Sequence, residues 1–132
     1  MRRFGPPPSA DEIDAIARRT LRSLPSPFAE SLPGVVLLVE EFADEATLAE
    51  LAIDDPFELS GLYEGVPLTE RSVEQSGTLP ERTRLFRRPI LDEWAGGDDT
   101  LEHLVAHVLI HEVGHHFGLS DDDIHALEDG LA

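Results

Sequence analysis

Residues 111–121 read HEVGHHFGLSD, and no other stretch limits so narrowly what this chain can fold into. On an α-helix, His111 and His115 stand about 40° apart around the axis and about 6 Å apart along it, so both imidazoles can reach one ion. Glu112 lies roughly 100° round from His111, off that clamp but within reach of a water beside the ion, where a general base must stand. HExxH at this spacing is a zinc-hydrolase signature. A shuffled chain of this composition would contain it about 0.03 times. Requiring also Gly118 and an Asp or His at position 121 lowers that to on the order of 3 in 10,000, so chance is a poor explanation.

A catalytic zinc takes three protein ligands and leaves one place open. With no cysteine in the chain, the donors must be nitrogen and oxygen. Gly118 can take the left-handed conformation that ends a helix and turns the chain back, which makes Asp121 the first choice for the third ligand, with His125 and Glu128 as alternatives. The competing reading is that Asp121, Asp122 and Asp123 complement the dipole at the start of the next helix. His107 and His103 continue the row of histidines upstream. Each step of four rises about 6 Å, so His107 is expected a turn below the ion, as an ordinary hydrogen-bonded histidine or a support for His111, and His103 two turns away. His116 is expected to point away. Tyr63, the only tyrosine, and His125 are candidates for stabilising an oxyanion.

The 132 residues carry 27 acidic side chains against 10 arginines and no lysine, a formal charge of −17. That charge repels phosphate backbones and anionic lipid, so nucleic acid and membrane surfaces are disfavoured as partners. There is no apolar run long enough to span a bilayer, and MRRFGPPP is followed by no apolar core, so a cytoplasmic protein is expected, as a monomer. Length allows a single core, expected over 9–132 behind a flexible tail at 1–8 that ends in three prolines.

Ser9 and Glu12 form a capping box ahead of Ile13, Ile16, Ala17, Leu21 and Leu24 at helical spacing, which predicts an amphipathic helix ending at Pro25. Residues 25–33 are a proline-rich connector, and VVLLVEEF after Gly34 reads as a buried strand. A short crossover helix is predicted over 43–52, stopped by Asp54-Asp55-Pro56. A short strand or hairpin follows within 59–69, then a polar loop at 71–80. RTRLFRRPIL at 82–91 reads as a strand that Pro89 confines to an edge or ends, and its arginines stand either beside an extended peptide added to that edge or against the protein's own carboxylates. One turn at 91–95 carries Trp94 as a core plug. Asp98 or Asp99 is expected to cap the metal helix, from about 100 to 117, which is apolar on most faces. Ser120 and Asp123 open a last helix over about 121–129, with Ile124 and Leu127 as its apolar contacts.

At HEVGHHFGLSD the sequence resembles the small bacterial zincin-like metallopeptidases, and GLYEGVPLTERS (61–72), GTLPERTRLFRRPILDEWA (77–95) and DDDIHALE (121–128) look like segments of that family too. The resemblance implies an α+β domain of minimal zincin type: a short mixed sheet packed beside the HExxH helix, an N-terminal helix and a short C-terminal helix. It implies one zinc per chain on His111, His115 and Asp121, Glu112 as catalytic base, and peptides or unfolded protein segments as substrate. The larger metzincin enzymes carry a methionine turn under the metal, whereas the only methionine here is Met1. Without that turn the floor of the site must be made otherwise, which leaves open a metal- or peptide-binding module without efficient catalysis; a third reading, a two-His-one-carboxylate iron oxygenase, comes from the ligand set, since such triads also serve non-haem iron. Glu112 beside the first ligand favours hydrolysis over the latter.

Overall fold

In the computed structural model of the chain, residues 5–25, 35–65 and 81–129 are described, the side chains of Val35, Glu81, His115 and His116 excepted. Residues 1–4 of the tail, nearly all of the 25–33 connector, the end of the 59–69 segment and the 71–80 loop lie outside them. The described elements run α1 (Ala10–Arg22), β1 (Val35–Glu40), α2 (Glu45–Glu50), a 3-10 turn (Pro56–Glu58), β2 (Gly61–Glu64), β3 (Glu81–Phe86), α3 (Arg87–Gly96), α4 (Leu101–Phe117) and α5 (Asp121–Asp129). Five α-helices and a three-stranded mixed sheet make this an α+β fold. None of these helices is long and apolar enough to cross a membrane.

The sheet order is β1-β3-β2, with β1 parallel to β3 and β2 antiparallel to it. This corrects two expectations. The arginine-rich strand β3 is the central strand, bonded on both sides, so it offers no edge to a peptide. It stops at Phe86, and Pro89 is buried in the first turn of α3, where a missing N–H costs nothing because those groups have no partner within the helix. The run VVLLVE is an edge strand among the described residues, with Leu37 buried but Val36 and Leu38 41% and 37% exposed; it buries one face, as alternation along a strand dictates. Trp94 packs against the core, as expected, from a helix longer than the single turn foreseen.

The capping box of Ser9 and Glu12 is formed in both directions and sets α1 with Ile13, Ile16 and Ala17 inward. They meet Leu104, Val105, Val108, Leu109 and Val113 of α4 and Leu85 of β3 in one core. Because α4 is wrapped by α1, the sheet, α3 and α5, it must be apolar on most faces. Its cap is Thr100, whose hydroxyl accepts from the His103 backbone N–H at 3.1 Å, rather than Asp98 or Asp99. Asp99 instead pairs with the His103 ring at 3.1 Å.

Candidate metal centre

Three close approaches build the site. At Gly61 a Cβ would fall 2.8 Å from Val108 and 3.3 Å from the Glu112 side chain, so only glycine lets β2 press onto this face of α4. At Gly114, inside HEVGH, a Cβ would fall 2.6 Å from Ile124; its absence lets α5 dock on α4. Between them Gly118 takes φ 68°, the left-handed conformation expected of it, and the Leu119 N–H donates to the Gly114 carbonyl at 2.9 Å, closing the end of α4 in a Schellman turn. The Ser120 hydroxyl accepts from the Asp123 N–H at 3.2 Å, and α5 starts back along α4.

This antiparallel pair brings His125 and Glu128 beside the histidine row of α4. The rings of His107 and His111 stand 4.6 Å apart, and those of His111 and His125 6.2 Å. Glu128 Oε1 lies 3.0 Å from His107 Nδ1 and 3.3 Å from His111 Nε2. Nevertheless, among the described residues it accepts no directed hydrogen bond, although it is shut off from solvent. His111, His107 and Glu128 offer ligand atoms that all lie within 4.8 Å of one another. Burial, then the neighbouring His107, holds the His111 pKa below the ordinary histidine value, against the opposing pull of Glu128 and Asp121. A neutral imidazole keeps the lone pair a metal needs. Two imidazole nitrogens and a carboxylate oxygen left without a partner fit a zinc ion.

A family model described as zincin-like metallopeptidase matches residues 32–131. The chain belongs to the zincin-like metallopeptidase family. No curated protein matches it. Family membership implies zinc, and the zincin motif residues distribute as follows. His111 and Glu112 are half-buried on α4 and, with Glu93, His107 and Val108, line a cavity of about 200 Å³. His115 follows one turn later on the same helix, its side chain outside the described residues, as is that of His116. Asp121 is exposed at the first position of α5, close enough to His111 to favour its protonated form. The carboxylate gathered with His107 and His111 is that of Glu128, an alternative to Asp121 in the sequence, rather than Asp121 itself. His107, expected a turn below the ion, shares that group and lines a second cavity of about 300 Å³ with Thr100, His103, Ala106, Ile110 and Glu128.

Tyr63 lies on β2 two residues after Gly61, so alternation directs it to the same face of the sheet as Glu112. The arginines of the central strand are turned to the protein's own carboxylates, the second of the two roles expected of them. Arg84 donates to Glu40 (2.6 Å), Asp44 (2.9 Å) and Glu64 (3.2 Å), and Arg82 donates to Glu64 at 3.0 Å.

Proposed function

We propose that this zincin-like protein is a zinc-dependent peptidase that cleaves peptides or flexible protein segments as a monomer, with one zinc held by His111, His115 and Asp121. The observation that supports it best is that His111 and Glu112 line one cavity side by side, on a helix held by α1, the sheet, α3 and α5, with burial lowering the His111 pKa. When bound, zinc supplies a Lewis acid that polarises a carbonyl and makes water acidic near neutral pH. Glu112 takes the proton of the attacking water and delivers it to the departing amide nitrogen, the two halves of general acid–base catalysis. An extended peptide is accommodated along β2, which among the described residues has one strand partner and touches α4 at Val108 and Glu112. Tyr63, on the same face, and His125 are the candidate donors to the oxyanion. The −17 charge favours peptide over nucleic acid as partner. Digestion of a peptide library by zinc-loaded protein is the test: cleavage removed by a chelator and restored by zinc is expected. Intact peptides from a zinc-loaded chain would overturn the peptidase and leave the metal- or peptide-binding module.

A further inference from the structure

Glu128 and His107 have no part in that reading, yet they form the most complete donor set among the described residues. Glu128 Oε1 is 3.0 Å from His107 Nδ1 and 3.3 Å from His111 Nε2. In a tetrahedral site with bonds of about 2.1 Å, neighbouring ligand atoms stand ~3.4 Å apart, so these two separations are close to the edges of such a site. Two nearby imidazoles could instead hold the carboxylate by hydrogen bonds, but the oxygen is desolvated without a directed one, which is costly unless something else satisfies it. His107 is half-exposed and stands on the walls of both cavities, so an ion has a route to the group from solvent.

We propose that His107, His111 and Glu128 form a second position for a divalent transition-metal cation, one helical turn before the HExxH pair. Nitrogen and oxygen donors with no thiolate suit zinc, cobalt or nickel better than calcium or magnesium. His111 Nε2 has one lone pair, so the two positions are alternatives for a single ion, and stoichiometry stays at one per chain. The position shares His111 with the peptidase reading but does not depend on His115 or Asp121, and the two stand or fall separately.

The test is titration of the metal-stripped full chain with Co²⁺, read by its visible absorption and by stoichiometry, with circular dichroism confirming that each variant is folded. His115→Ala is expected to keep one Co²⁺ per chain, with affinity reduced about 10–100-fold and a changed spectrum. Adding Glu128→Gln or His107→Gln to that variant is expected to cost at least another tenfold. If His115→Ala binds no more Co²⁺ than His111→Ala does, or if the added changes leave its affinity untouched, the second position is overturned and the HExxH site stands. If instead His115→Ala and Asp121→Asn bind like the unaltered chain while Glu128→Gln does not, the second position stands and the catalytic ligand set falls.

Discussion

Two polar clusters are partly sunk into this fold, and they differ in what completes them. On the sheet, the Arg84 side chain is 6% exposed and its guanidinium donates to Glu40, Asp44, Glu64 and the Thr47 hydroxyl. The protein supplies both signs of charge, and every partner is an amino acid. Along α4 and α5, His107, His111 and Glu128 bring acceptors together with no arginine among them, around an oxygen that lacks a directed donor. The first cluster carries its own cation. The second gathers metal-ligating donors with no cation of the protein's own beside them, the difference expected between a structural ion network and a metal centre.

Substitution of the central member of each cluster should have the largest and most different effects. His111→Ala should lower zinc affinity at least about hundredfold in a competition titration, since it takes a ligand from either metal position. Arg84→Met should leave zinc affinity within about twofold. Equal losses in both would mean that the clusters are not distinct. Arg84→Met should instead appear in denaturant unfolding, at a cost of about 2 kcal/mol. That lies below the usual cost of orphaning a buried partner, because the three carboxylates left behind are themselves exposed to water.

Gly114→Ala sharpens the contrast from the side of the helix pair. The added methyl meets Ile124 and should push α5 away, costing about 1–3 kcal/mol and weakening zinc binding with it. A variant that lost the stability and kept full zinc affinity would detach α5 from the metal site.

The smallest effect expected is in acid, where the clusters should fail at different pH in the metal-free protein. His111 has its pKa lowered, chiefly by burial, so below 6.5 the unfolded chain takes up a proton the folded chain resists, and stability falls as pH drops through that value. Asp44 has its pKa lowered by hydrogen bonds from Thr47 and Arg84. The stability it contributes is present in full above 3.8 and is lost progressively from there down to its lower folded value, so pH 3 already shows the start of the loss. Denaturant unfolding at pH 7.5, 5.5 and 3 separates the two, and His111→Asn should flatten only the upper step.

Much of the helix pair is legible in the sequence because its determinants are local. Gly118 announces the turn, Ser120 and Asp123 the cap, and Ile124 the contact. Counting equal steps on either side of Gly118 sets 125 opposite 111 and brings 128 near 107, so the approach of Glu128 could have been read from the same turn that pointed to Asp121. The sheet is less legible because its determinants are distant. RTRLFRRP looks like an edge strand, and nothing within it shows that Glu40, Asp44 and Glu64, each at least 20 residues away, neutralise Arg84 at its centre. VVLLVE is equally silent about which of its faces is covered, since apolar residues on both sides read as burial on both.

If the HExxH helix carries a hydrolytic metal site, Glu112→Gln should separate binding from catalysis when metal content and peptide cleavage are measured on the same preparation. About one zinc per chain is expected, as in the unaltered protein, with cleavage reduced about 10²–10⁴-fold by loss of the general base. Full cleavage by zinc-loaded Glu112→Gln would contradict it.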